Sequence, residues 1–298
     1  MFNSSYIVLL SQYGRLGNKL WTYANVLSYA IEFDLRVVNP GFDKMTNIFN
    51  NIYNNYYQDK IASFASHINN RARLFPSVVL NNGQLLNLDQ TESVNLTRKK
   101  LTFFHGLYFY APKCLENNKE RIRCLFTPSN IVIDRVKAII TKAKSKSDIV
   151  IGVHIRQGDY RTHSSGIMFY SLDEYIEVMR CLKEQFKNKR VSFIVCSDEY
   201  QNLSNYKDLT FIPANGGVIE DLYTLAHCDF IFGPNSTFSH WASFWGKVPL
   251  HILNYRAESI YGSNPIYFPQ INAHFKQFDP KDFGKFARVH VTLSEAIR

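Results

Sequence analysis

The stretch IVIGVHIRQGDYR, residues 149–161, decides how this chain is read. Four of its first five residues are apolar, as in a strand buried on both faces. Polar and charged groups then crowd in: His154, Arg156, Asp159 and Arg161. In open α/β sheets, ligands bind outside the carboxyl ends of the strands, so a buried strand ending this way is a candidate site. Alternation puts His154 and Arg156 on one face of the strand end and Ile155 on the other. Arginine carries a permanent charge and a planar fork suited to phosphate oxygens. Gly158 turns the chain, and Asp159 is placed to orient Arg156. A purely structural Arg–Asp pair is the alternative.

Working outward from this strand, apolar runs of strand length alternate with helical patterns. Downstream come a helix over 172–187, the strand RVSFIVCSD and the short strand LTFIPA. The helix VIEDLYTLAHC, the strand DFIFGPNS, the helix TFSHWASFWG and the strand VPLHILN follow. Upstream, YIVLL (6–10) is a strand, about Gly17 to Glu32 a helix, and LRVVNP (35–40) a strand closed by Pro40. Residues 129–144 carry apolar residues at helical spacing, and KSKSD reads as a linker. Residues 45–125 are less regular; helices and one short strand near TFFHGLYFY are expected there. Strands alternating with helices at both ends of the chain predict an α/β protein with parallel sheets. Two Rossmann-like halves facing a central cleft is the expected architecture, residues 1–145 and 146–298. The last helix is allowed to pack back on the first half.

Three further features lie at expected strand ends. GRLGN (14–18) joins the first strand to the first helix. Gly14 and Gly17 permit close approach of a ligand, while Arg15 and the helix start favour an anion. A tight turn with a surface arginine explains it equally well. PNSTF (234–238) opens another helix, with Asn235 or Ser236 as N-cap. The backbone of Thr237 and Phe238, with two hydroxyls, would seat a phosphate. Trp241 and Trp245, four apart, fit the inner face of that helix as core. Asp198 follows the strand after 191, where an acid can contact a base or ribose, or serve as a turn or cap. No metal-ligand motif appears, so a leaving diphosphate would need arginine and helix-end donors.

Composition narrows the partners. With 34 basic and 25 acidic residues the net charge is +9, which favours an anionic ligand. The basic clusters, TRKK (97–100) and KAKSK (142–146), are short and not interleaved with aromatics. They read as solvated faces, against nucleic-acid binding. The charge leaves room for loose association with a membrane surface. No apolar run reaches the ~18 residues of a membrane span. Five scattered cysteines without CxxC spacing fit a reducing cytoplasm better than a disulfide framework.

Taken together, GRLGNKLWTYA, GVHIRQGDY and PNSTFSHWASFWG resemble the successive motifs of the GDP-fucose-dependent fucosyltransferases. The strongest likeness is to the bacterial α-1,2-fucosyltransferases, glycosyltransferase family 11. The resemblance runs from about residue 8 to residue 250 and is weak across 45–125, where acceptor contacts would fall. It implies a GT-B-like fold and inverting, metal-independent transfer of fucose from GDP-fucose to a glycan hydroxyl, galactose 2-OH first. It implies no cofactor, only the donor as substrate. Carried over by position, Arg156 holds the β-phosphate and His154 and Asp198 meet the guanine. Asn235, Ser236, Thr237 and Phe238 grip the diphosphate. Arg15 and Asn18, catalytic together with Arg156, lie near the reacting carbon, and Gly14 and Gly17 of the same loop are donor-binding. No catalytic base is assigned; Asp159 and Glu220 qualify by residue type alone. Three departures stand out: Gln157 replaces a second arginine, Lys19 a glutamine and His240 a tryptophan. Gln157 keeps a different sugar-nucleotide donor open. A non-catalytic glycan-binding protein on the same fold is the other alternative.

Overall fold

A computed structural model describes residues 5–10, 14–52, 76–81, 83–98, 101–214, 216–253, 276–277, 279 and 289–296. The chain forms two compact units, 1–129 with 279–298, and 130–278. The division at Ser129, against residue 145 from the sequence, has a packing reason. Helix α4 (Asn130–Lys144) buries Val132, Val136 and Ala143 and packs on elements of the second unit.

The first unit opens with β1 (Tyr6–Leu9), all four residues buried, followed by α1 (Leu16–Glu32). This helix is buried nearly all round, which explains why its apolar pattern runs wider than one stripe. Strands β2 (Arg36–Val38), β3 (Ser77–Val79) and β5 (Leu101–His105) complete a parallel sheet in the order β2-β1-β5-β3. A second parallel sheet is made from β4 (Gln84–Asn87), β6 (Tyr108–Tyr110) and β13 (Val289–Val291). Helices α2 (Thr91–Thr97), α3 (Pro112–Leu125) and α8 (Leu293–Ala296) belong to this unit.

The middle of the chain therefore holds more sheet than its sequence suggests. TFFHGLYFY is two strands in two different sheets, not one. The break falls at Gly106, whose φ is +128° and where a Cβ would stand 2.7 Å from Leu80 Cβ and 2.9 Å from Leu80 O. Part of the Asn- and Tyr-rich run 47–57 lies outside the described residues.

The second unit is one open sheet in the order β12-β11-β10-β7-β8-β9. It contains β7 (Ile149–Ile155), β8 (Val191–Ser197), β9 (Phe211–Pro213), β10 (Phe230–Pro234) and β11 (Pro249–Leu253). All five run parallel, and only β12 (Lys276–Gln277) is antiparallel. Helices α5 (Leu172–Gln185), α6 (Val218–Leu225) and α7 (Thr237–Gly246) connect them. A capping box starts α5: Glu174 N–H donates to Ser171 Oγ, and Ser171 N–H to Glu174 Oε2.

Strand β7 divides its residues cleanly between the two faces. Ile151, Val153 and Ile155 enter the apolar cluster with Tyr175, Ile176, Met179 and Leu182 of α5. Gly152 and His154 face the other layer. A Cβ at Gly152 would stand 2.7 Å from Leu225 Cδ2 and 3.0 Å from Cys228 Sγ, so the glycine leaves room for the side chains packed over the strand there.

Candidate functional site

Strand order places the site. Chain order starts at β7, moves outward through β8 and β9, then returns to β10 and β11 on the other side. The topological switch point is therefore between β7 and β10, where open sheets hold their ligands. The carboxyl ends of these two strands carry His154–Arg156 and Pro234–Thr237.

Arg156 is held from two sides. Its Nε and Nη2 donate to the two Asp159 carboxylate oxygens at 3.0 and 2.7 Å. Its guanidinium carbon lies 4.5 Å from the centroid of Tyr160. Burial works against the charge, but the Asp159 fork outweighs it and the pKa rises, so Arg156 is a permanent cation. The Arg–Asp pair left open as a structural alternative is present. It orients the arginine without hiding it, since 14 % of the Arg156 side chain remains exposed. The same pair ties down Asp159 as a base. Glu220 is tied down too, by Arg135 at 2.8 Å and the Gly217 amide at 3.1 Å.

His154 is 6 % exposed and lies under Phe238, ring centroids 5.0 Å apart. Burial, helped by the nearby Arg156 charge, pushes its pKa down to about 3, so the imidazole is neutral. Gly233 of β10 permits this: a Cβ there would sit 2.7 Å from His154 O.

At the facing strand, Ser236 is the N-cap of α7, and its Oγ accepts from Phe238 N–H at 3.3 Å. Asn235 precedes it and gives its carbonyl to Tyr160. The first turn of α7 contains no acidic residue, leaving the positive end of the helix uncompensated. Trp241 is fully buried and Trp245 packs edge-on against Tyr223 at 4.7 Å, so both serve the core.

Asp198 shows the turn role that was one of its two readings. Its Oδ1 accepts from Gln157 N–H at 2.9 Å and Gly158 N–H at 3.5 Å. Gln157 itself points away from the site. It is 6 % exposed, its Nε2 donates to Tyr170 O at 2.9 Å, and its Oε1 accepts from Gln201 at 3.0 Å. Replacing Gln157 by leucine is expected to lower stability by about 2 kcal/mol, because the buried Tyr170 carbonyl loses its partner. Thermal melting checks this.

A second carboxylate escaped the sequence reading. Cys196 is the β8 partner of His154, so the two side chains share a face, and Cys196 Sγ reaches Asp221 O at 3.7 Å. Asp221 therefore belongs to the same layer as His154. Its buried Oδ1 has no hydrogen-bond partner among the described residues. Burial, with Glu220 adding to it, raises its pKa to about 7. In the sequence Asp221 looks like any acid in the first turn of a helix; only its burial marks it.

In the first unit, Gly14 has φ +79°, and a Cβ there would lie 2.8 Å from Asn18 Nδ2. Arg15 is the exposed N-cap of α1, whose first turn has no acidic residue. Gly17 is buried in that turn. Nearby, Lys19, Thr22 and Asn39 line a small hollow at the carboxyl edge of the sheet. Among the described residues, no group of three His, Cys, Asp or Glu is arranged to hold a metal. No described helix is long and apolar enough to cross a membrane.

The family model of glycosyl transferase family 11 matches residues 89–259, more than half of the chain. The chain belongs to glycosyl transferase family 11. The match spans the switch-point residues from His154 to Phe238, so the family 11 signature contains this site. No curated protein matches the sequence. Among solved structures, the chain resembles a mutant of Arabidopsis thaliana FUT1 in complex with GDP. Identity is 14%, covering 92% of this chain and 74% of that one, with a TM-score of 0.62. It also resembles POFUT1 in complex with GDP-fucose, at 13% identity, covering 82% and 94%, with a TM-score of 0.55. Fucosyltransferase NodZ from Bradyrhizobium matches at 15% identity, covering 85% and 97%, with a TM-score of 0.51. At these identities the likeness is one of fold, and it agrees with the α/β, parallel-sheet class read from the sequence.

Proposed function

We propose that this family 11 chain transfers fucose from GDP-fucose to a hydroxyl of a glycan acceptor, with inversion at the anomeric carbon. The observation that carries this reading is the meeting of Arg156 and the start of α7 at the β7–β10 switch point. Two kinds of anion-binding group converge there: a fixed guanidinium and an uncompensated helix N-terminus. A diphosphate suits both. The fold shared with structures holding GDP and GDP-fucose supports the nucleotide.

In this reading the fucose–phosphate bond opens through an oxocarbenium-like transition state. Negative charge builds on the departing GDP, and Arg156 with Ser236, Thr237 and Phe238 stabilises it. The Asp159 fork matters because a preorganised donor needs no reorganisation as charge develops. The acceptor hydroxyl, galactose 2-OH by the family resemblance, attacks the opposite face. Gly14, Arg15, Gly17 and Asn18 are proposed for the acceptor side. GDP is a good leaving group, which lessens the need for a strong base.

For the base, neutral His154 can address the O6 or N7 edge. Guanine presents N1–H and N2–H side by side, two donors that one carboxylate can accept. Asp198 uses one oxygen on its own turn, whereas Asp221 holds a buried oxygen without a partner among the described residues. Asp221 is therefore proposed to read the base, with Asp198 shaping the Arg156 turn. The inward-facing Gln157, bonded to Tyr170 O and Gln201, supports keeping GDP-fucose as the donor despite the missing second arginine.

A donor panel tests the proposal. GDP-fucose is expected to be turned over, and the rate is expected to survive excess EDTA. Turnover of a different sugar nucleotide, or of none, would overturn it. A loss restored by Mn²⁺ or Mg²⁺ would overturn the metal-independent part.

A further inference from the structure

The two anion-binding groups of the switch point are joined by one side chain. Tyr160 is 7 % exposed. Its ring face carries the Arg156 guanidinium, 4.5 Å from the centroid. Its hydroxyl donates to Asn235 O at 2.8 Å, and Asn235 is the residue before the N-cap of α7. One face therefore fixes the cation, and the far end of the ring fixes the start of the helix.

We propose that Tyr160 is a positioning residue that sets the spacing between Arg156 and the start of α7, and so the fit of the diphosphate between them. This rests on the nucleotide reading of the site. The physical case has three parts. Arg156 lies between the Asp159 carboxylate and the Tyr160 ring, so two contacts at right angles in character, one polar and one facial, limit its rotation. A tyrosine has only two soft side-chain torsions, so both ends of the strut are fixed once the ring is buried. Strands β7 and β10 each end near here, and their paired register runs from Phe230–Ile151 to Phe232–Val153. The Tyr160–Asn235 bond bridges the strand ends where the ladder has stopped. A diphosphate has oxygens at set separations, so a change of about an ångström between its two holders weakens both contacts.

The two ends of the strut can be separated by mutation. Tyr160→Phe keeps the ring and removes the bond to Asn235; Tyr160→Leu removes both. The readout is the dissociation constant for GDP by calorimetry, beside thermal melting of each variant. We expect about a fivefold loss of GDP affinity for the phenylalanine variant, the scale of one hydrogen bond. For the leucine variant we expect roughly thirtyfold, since the facial contact is lost as well. The deciding comparison is made in an Arg156→Ala background. There the difference between phenylalanine and leucine should vanish, because no guanidinium remains to be supported. The difference between tyrosine and phenylalanine should persist, because the helix start is still anchored. A purely structural residue would lower the melting temperature without this pattern.

Wild-type affinity in the phenylalanine and leucine variants overturns the strut while leaving the nucleotide reading intact. A phenylalanine–leucine difference that is unchanged without Arg156 overturns the ring's part in it. If the leucine variant does not fold, the phenylalanine variant alone decides the hydroxyl's part: unchanged affinity overturns it. Absence of GDP binding by the wild-type protein overturns both the strut and the reading beneath it.

Discussion

Arg156→Lys is expected to lower GDP-fucose turnover roughly a hundredfold or more, on the order of 3–5 kcal/mol of lost transition-state stabilisation. Lysine keeps the charge, so an effect of this size would come from geometry. The guanidinium now makes two parallel bonds to Asp159 and lies flat on Tyr160. An ammonium offers neither the fork nor the plane. Lysine can still pair with Asp159, so the fold should hold and the melting temperature should move little. Steady-state kinetics on folded protein give the answer, and near-wild-type turnover in the lysine variant would remove Arg156 from the site.

Asp221→Asn is expected to erase most of the preference for GDP over ADP and UDP. We expect that preference to be at least tenfold in the wild type, because a site built for guanine's two adjacent donors leaves its own acceptor unpaired with other bases. An asparagine presents one acceptor and a clashing NH₂ to the same edge. Protonation gives a second handle. The raised pKa of Asp221, about 7 against an ordinary 3.8, means that the fold favours the neutral acid. From about pH 4 to about pH 7 the folded state holds a proton that the unfolded chain releases, so this group's contribution to stability falls as pH rises and levels off above 7. Guanine needs the opposite form, the carboxylate. GDP affinity should therefore weaken below about pH 7, and more steeply than in the asparagine variant, which keeps only the dependence set by the terminal phosphate's own second ionisation near pH ~6. Titration with the three diphosphates at pH 6, 7 and 8 checks both effects. Equal affinities in the wild type, or an unchanged preference in the variant, would place base reading elsewhere.

Much of this site is legible from chain order alone, for a reason that particular residues make plain. His154, Arg156 and Asp159 fall within six positions, and Ser236 to Phe238 are consecutive. Local rules of strand alternation and helix capping govern such short stretches, and those rules do not depend on the rest of the fold. Helix α7 begins and ends where its sequence suggests, at Thr237 and Gly246. The less regular region fails for the complementary reason. Strands β3, β4 and β6 are three or four residues long, too short to establish a period of two, and they are strands only because a neighbour supplies the ladder. The parallel pairing of β13 with β4 joins residues 289–291 to 84–86, a separation no local pattern encodes.

The sequence by itself determined the α/β class, the polar strand end after Ile155 and the helix start at Ser236, because each depends on residues close along the chain. Only the tertiary structure decided that β7 and β10 are neighbours at the switch point, that Tyr160 reaches Asn235, and that Gln157 turns inward. It also separated two acids that look alike in the sequence. Asp198 is exposed and answers two backbone amides, whereas Asp221 has an oxygen buried without a partner among the described residues. That difference is one of desolvation. Desolvation depends on what packs around a group from distant parts of the chain, here Cys196 of β8 against α6.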